Sequence, residues 1–145
     1  MGLRIRVAAV CKRDDTLLLV EHEKQRQRYF LLPGGGMKRG EPAEDAVVRE
    51  VLEETGIKVE PKRLVCICES ISPGRERHIV HFIYDTVVVA GEPGQSHDSR
   101  VRQSLFVPMQ SISELTLHPP VQAWLWERAE TGFLSEPEYL GSMWV

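Results

Sequence analysis

The stretch from Gly35 to Ile57, GGMKRGEPAEDAVVREVLEETGI, constrains this chain most, because it crowds acids onto the wrong end of a helix. Pro42 suits a first helical turn and Gly56 suits the residue just past the last, with no breaker between Ala43 and Thr55. The spacing therefore predicts a helix over 43–55. Glu44 and Asp45 sit where the macrodipole welcomes carboxylates, but Glu50, Glu53 and Glu54 sit where it opposes them, at about 0.3–1 kcal/mol each. Glu50 and Glu54 also repel as an i, i+4 pair, by roughly 0.2–0.5 kcal/mol. Stability alone does not select this arrangement.

A cation resolves the conflict. Convergent carboxylates on one helix face are the hard oxygen ligands that Mg²⁺ or Mn²⁺ takes, with waters and substrate phosphates completing the shell. The competing reading is a solvated acidic face, with Val48, Val51 and Leu52 packed on the opposite side. Against it, Ala43, Ala46 and Val47 share the acidic sector, so that face is expected to lie beside other structure. The preceding Pro33-Gly34-Gly35-Gly36 also lets backbone approach a phosphate or metal, although such a run by itself is more often a turn than a cradle.

Gly35, five residues, Glu41, seven residues, Arg49-Glu50-Val51, one residue, Glu53-Glu54, one residue, Gly56-Ile57 is similar at every fixed position to the box of the Nudix hydrolases. The resemblance implies an α/β fold, an α/β/α sandwich with a mixed sheet between helices. It also implies Mg²⁺-dependent hydrolysis of a nucleoside diphosphate linked to another group, Mn²⁺ being able to substitute. Carried over by position, Glu50, Glu53 and Glu54 are expected metal ligands, joined by the Gly34 carbonyl. Arg49 is expected to pair with Glu41 and position the acids. The general base stays open between Glu53, Glu50 and two loop acids, Asp98 and Glu92.

The 145 residues, 42% hydrophobic, predict one domain over 1–145. A net charge of −3 gives no global pull toward nucleic acid or anionic membrane, so the expected partner is a small nucleotide substrate. No run reaches signal-peptide or transmembrane length, and a cytoplasmic location is the default expectation. Cys11, Cys66 and Cys68 are odd in number and lack metal-ligand spacing, which argues against a disulfide framework or a zinc site. Cys66 and Cys68 read instead as half-buried strand residues.

Strands are expected over Leu3 to Val10 and Thr16 to Glu21 around a turn at Lys12 to Asp15, then Tyr29 to Leu32 feeding the glycines. Arg63 to Glu69 and Arg77 to Val89 follow the helix as strands, split by Ser72-Pro73-Gly74-Arg75. Gly91 to Ser99 reads as a mobile connection at the rim of the site, leading into a strand near Val101 to Val107. A second helix is expected over Val121 to Thr131, the two helices covering opposite sheet faces. The tail from Gly132 carries Phe133, Leu134, Tyr139, Leu140, Met143 and Trp144, too apolar to be free. The region 120–145 should dock on its own domain or on a partner subunit, which leaves a homodimer open.

For substrate contacts, Arg75 and Arg77 flank a turn and suit a diphosphate, and Tyr29 or Phe30 offers a ring to a base. Arg28 belongs to the basic run Lys24 to Arg28, which could bind phosphate but reads more simply as a solvated loop. His78 and His81, at odd spacing on one strand, should face opposite ways and be structural. Pro73 lies sixteen residues after Ile57, where Nudix enzymes acting on ADP-ribose tend to carry proline, and Gly74 stands where dinucleoside polyphosphate hydrolases often carry tyrosine. The resemblance thus favours ADP-ribose, with an 8-oxo-dGTP or (d)NTP pyrophosphatase as the alternative. A non-catalytic nucleotide sensor is the reading of another class, and an intact acid set argues against it.

Overall fold

The computed structural model describes residues 2–94, 96 and 99–144. Eight strands join in a mixed sheet: β1 (Arg4–Arg13), β2 (Thr16–Lys24), β3 (Gln27–Leu31), β4 (Gly34–Gly36), β5 (Lys58–Ile71), β6 (His78–Ala90), β7 (Val101–Pro108) and β8 (Glu138–Ser142). The order is β3-β2-β1-β6-β5-β8, with β4 on β1 and β7 on β2. β1 lies at the centre, parallel to β6 on one side and antiparallel to β4 and the start of β2 on the other.

Alternation along β1 sets the two faces. Val7, Ala9 and Cys11 meet Ala46, Val47 and Val51 of helix α1 (Ala43–Thr55), while Ala8 and Val10 join a cluster with Trp124 and Leu125 of helix α2 (Gln122–Thr131). The expected sandwich is therefore present, with one helix on each face. A 3₁₀ turn, Met109–Glu114, precedes α2.

Both tight hairpins follow turn chemistry. Asp14, at φ 55°, helps close β1 onto β2, where Arg13 pairs with Thr16. Gln25 and Arg26, at φ 52° and 65°, close β2 onto β3, the left-handed pair that a two-residue hairpin demands. The basic run read as a loop is thus a hairpin tip. β5 begins at Lys58 rather than Arg63, because a register shift at Pro61/Arg63 lets a proline sit within the strand.

Helix α1 turns the sector that the acids share with Ala46 and Val47 toward the sheet, as expected. Ala46, Val47, Val51, Glu54 and Thr55 are buried, whereas Leu52 is 48% exposed. Gly56 caps the helix at φ 81°, its N–H donating to the Leu52 carbonyl at 2.9 Å. The described part of the Gly91 to Ser99 connection is pinned beneath this end, Gly94 N–H donating to the Thr55 carbonyl at 2.8 Å, and not at the rim of the site. His97 and Asp98 lie outside the described residues.

The tail docks on the chain's own sheet. β8 runs parallel to β5, and Phe133, Leu140 and Met143 pack on the α2-side core. Trp124 Nε1 donates to Glu138 at 2.8 Å, and the Arg128 guanidinium approaches the same carboxylate at 3.0 Å. Cys11, Cys66 and Cys68 are free and fully buried, deeper than the half-buried positions expected of Cys66 and Cys68. No helix among the described residues is long and apolar enough to cross a membrane.

Candidate active site

Arg49 is the hub of the acidic helix end. Its Nε and Nη2 donate to the two Glu41 oxygens at 2.7 and 2.9 Å, Nη1 donates to Glu50 at 2.8 Å and Glu53 at 3.2 Å, and Nη2 also reaches the Gly36 carbonyl at 3.1 Å. Such a bidentate fork fixes both planes, which lysine cannot do. The Arg49 hydrogen bonds, helped by the Lys38 backbone N–H, hold the Glu41 carboxyl down at about 2, and in return Glu41 raises the Arg49 pKa.

The three candidate metal acids have different surroundings. Glu54 is buried and its Oε1 accepts the Gly34 N–H at 3.0 Å, while its Oε2 stands 3.7 Å from His22 Nε2. Glu50 lies flush against Gly35, where a Cβ would come within 2.2 Å of its Oε2. A side chain there would have to push the Glu50 carboxylate aside. Gly34 is confined more strictly, since its Cβ would meet the backbone carbonyl oxygen of Val7 at 2.0 Å. The Glu53 side chain is 57% exposed, with Oε2 held by Arg49 Nη1 at 3.2 Å.

Among the described residues no three His, Cys, Asp or Glu side chains already stand at ligating positions, because Arg49 draws Glu50 and Glu53 to itself and Gly34 holds Glu54. The donors nevertheless fit a hard divalent cation: three carboxylates at i, i+3 and i+4, one of them exposed and one seated against bare backbone. A cation would compete with Arg49 for Glu50 and Glu53.

Glu50 and Glu54 border a cleft of about 660 Å³ whose opposite character is cationic. Arg4, Arg6, Lys24, Arg77 and Arg100 line it, as do His22, His81 and His118. Arg4 and Arg6 alternate on β1, and Arg6 pairs in register with His81 on β6, so they share the α2-side face. Arg6 Nη2 donates to the Leu32 carbonyl at 2.9 Å, but its Nη1 is buried without a partner, as are His22 Nε2 and His81 Nδ1. Burial lowers the Arg6 pKa, opposed by Glu54 and Glu50. Burial, with Arg6 adding to it, drives the His81 imidazole down to about 3, so it is neutral and hydrogen-bonds Ser70 at 2.9 Å through Nε2. Tyr29 forms an aromatic ledge, its ring 4.7 Å from that of His118 and 5.4 Å from that of His22.

Of the substrate residues expected from sequence, Arg77 and Tyr29 line the cleft; Arg75 and Arg28 do not. Arg75 occupies the turn before β6 at φ 62°, and Arg28 leans on Glu23 and Glu21 at 3.5 and 3.7 Å. Glu92 is also elsewhere, 74% exposed and gripped by both Arg13 terminal nitrogens at 2.9 and 3.0 Å. His78 and His81 separate as expected, His78 pairing with Glu69 at 2.8 Å. Arg4, Arg6, His22, Arg100 and His118 were missed. Only the Arg-Ile-Arg alternation before an apolar strand signalled two cations on one face.

A family model for the NUDIX domain matches residues 2–127. The chain belongs to the NUDIX family, pyrophosphohydrolases that act on acid anhydrides and generally use divalent metals. It is similar to the mouse protein named diphosphoinositol polyphosphate phosphohydrolase 3-alpha, 31% identical over 90% of this chain and 80% of that one. It is also similar to a protein of Methanocaldococcus jannaschii named ADP-ribose pyrophosphatase, 30% identical over 77% of this chain and 65% of that one. Among solved structures, a NUDIX hydrolase from Nitrosomonas europaea superposes with a TM-score of 0.79 at 26% identity, covering 91% of each chain.

Proposed function

We propose that this chain hydrolyses the phosphoanhydride of a nucleoside diphosphate joined to a second group, with ADP-ribose its preferred substrate, giving AMP and ribose 5-phosphate. The observation carrying this reading is the cleft itself. Its lining brings together the carboxylates of Glu50 and Glu54, the guanidinium groups of Arg4, Arg6 and Arg77 and the Tyr29–His118 aromatic pair. Charged groups beside a planar ring suit the chemistry of a nucleotide.

Glu50, Glu53 and Glu54, with the Gly34 carbonyl, would hold Mg²⁺ or Mn²⁺, which supplies neutralisation of the diphosphate and a water of lowered pKa. Arg77 and the free Arg6 Nη1 bind non-bridging phosphate oxygens, and Tyr29 stacks on the adenine. Glu53, the most exposed of the three, takes the proton of the attacking water on Oε1, the oxygen that Arg49 does not hold. The water oxygen bonds to phosphorus as the bridging P–O bond breaks, and the leaving phosphate departs with its oxygen. Arg49, pinned by Glu41, keeps the acids in place without touching substrate.

A second reading has its own support. Five cationic side chains line the cleft against the carboxylates of Glu23, Glu50 and Glu54, which also suits a diphosphoinositol polyphosphate, the substrate in the mouse relative's name. Comparing kcat/KM across ADP-ribose, 8-oxo-dGTP, diadenosine polyphosphates and a diphosphoinositol polyphosphate decides between them. ADP-ribose should lead; a tenfold lead for any other, about 1.4 kcal/mol of transition-state preference, overturns the assignment.

A further inference from the structure

The matched family segment ends at residue 127, yet one wall of the cleft is built from residues beyond it, Met143 and Trp144. These two are not a loose end. Met143 N–H donates to the Glu69 carbonyl at 2.7 Å and its side chain packs on the α2-side core. Glu69 also accepts from the Tyr139 hydroxyl and bonds His78 at 2.8 Å, so β8 is fastened to both β5 and β6. The fastening delivers an indole, 45% exposed, into the cleft beside the ends of the strands carrying Ser70 and Ile79.

Its distance from the acids limits what it can touch. Glu50 and Glu54 sit against β4, and the ladder from there runs β4-β1-β6-β5-β8. Four strand spacings of about 4.8 Å place the two backbones roughly 19 Å apart across the sheet. Trp144 is therefore remote from any phosphorus held by the acids and meets a group carried well beyond it. Tyr29 and His118 form a separate aromatic surface, with Tyr29 on β3, a strand outside this ladder.

We propose that Trp144 is a specificity-determining residue, the platform for a second ring beyond the diphosphate, which makes the site selective for substrates with a ring on both sides of the phosphates. The inference rests on the phosphoanhydride reading above and deepens it. A flat, half-exposed indole held two residues past β8, next to the Met143 N–H that bonds Glu69, costs little entropy to engage and stacks on a sugar or a nucleoside. Binding energy won there is spent on holding and aligning the substrate rather than on the reacting bond.

The test is calorimetric titration of the whole protein in metal-free buffer containing EDTA, using ADP-ribose, diadenosine diphosphate and ADP, the last having no second ring. Trp144→Ala should weaken both two-ringed ligands by roughly tenfold, as expected of a lost stacking contact, and leave ADP within about twofold; Trp144→Phe should recover most of the loss. Of the two ringed ligands, the one more sensitive to the substitution identifies the second ring as sugar or nucleoside. With Mg²⁺ added, Trp144→Ala should raise KM for ADP-ribose and spare kcat. An equal loss for all three ligands, no loss for either ringed ligand, or no binding of them by the unaltered protein overturns the proposal. Binding with this selectivity but no hydrolysis would instead remove the catalytic reading and leave the Trp144 platform standing.

Discussion

The acidic helix end and the cationic floor of the cleft face each other but are built in opposite ways. The acids come from one segment and are internally satisfied: Arg49 engages three carboxylates and Gly34 engages the fourth. The floor is assembled from separate strands, and among the described residues it leaves Arg6 Nη1, His22 Nε2 and His81 Nδ1 buried without hydrogen-bond partners. An unpaired buried polar atom costs about 1–3 kcal/mol, a cost that a bound polar ligand or water offsets. The contrast separates a cluster whose charges pair among themselves from a lining that leaves hydrogen-bonding capacity open.

The sharpest way to break this contrast is to remove the most exposed of the three acids, Glu53. Glu53→Gln should lower kcat by roughly 10² or more if Glu53 is the proton acceptor, while leaving metal-free stability within about 0.5 kcal/mol, because its pair with Arg49 is largely exposed. Steady-state kinetics and thermal melts check both halves; a fall in kcat below tenfold would assign the proton to another group.

Next comes the seat of Glu50. Gly35→Ala adds a methyl where only 2.2 Å is free, so Glu50 must swing away. Turnover should fall by about 10², the usual cost of displacing a catalytic group by an ångström, with KM changed far less. Near-normal kcat would mean that the position of Glu50 against the glycine backbone is irrelevant to chemistry.

The floor gives the smallest effect, read from pH. His81 is neutral in the fold with its pKa depressed to about 3, below the usual 6.5, so the native state binds fewer protons than the unfolded chain between these values. Stability contributed by keeping it neutral is present above pH 6.5 and is lost progressively as pH falls toward 3. Glu41, held at about 2 by Arg49, adds its own loss only below about 4.5. Melting temperature should therefore begin to fall on acidification from pH 6.5, and His81→Asn should flatten the leg between 6.5 and 5. An unchanged slope in the variant would show that His81 carries none of it.

The same difference in construction explains what the sequence disclosed. Acids at i, i+3 and i+4 of one helix, bounded by Pro42 and Gly56, are local information, and so is the Arg49–Glu41 pairing implied by the box. Ala46 and Val47 beside the acids marked the inner face of α1, but the burial of Glu54 there depends on the Gly34 N–H, twenty residues away. Arg6 and His81 are 75 positions apart and meet only through parallel pairing of β1 with β6. Arg28 and Glu92, plausible by charge, were captured by nearer partners, Glu23 and Arg13. Trp144 showed as an apolar tail residue, but its place in the cleft follows from the register of β8 on β5.

The central claim is that the Glu50, Glu53 and Glu54 cluster is a divalent-cation site that drives phosphoanhydride hydrolysis. The most direct measurement is ADP-ribose turnover after exhaustive chelation, followed by titration with Mg²⁺ and Mn²⁺. The account predicts activity abolished by EDTA, restored by either ion, and a melting temperature raised by the ion alone, as expected of a ligand bound only to the native state. Full activity in the chelated protein would contradict it.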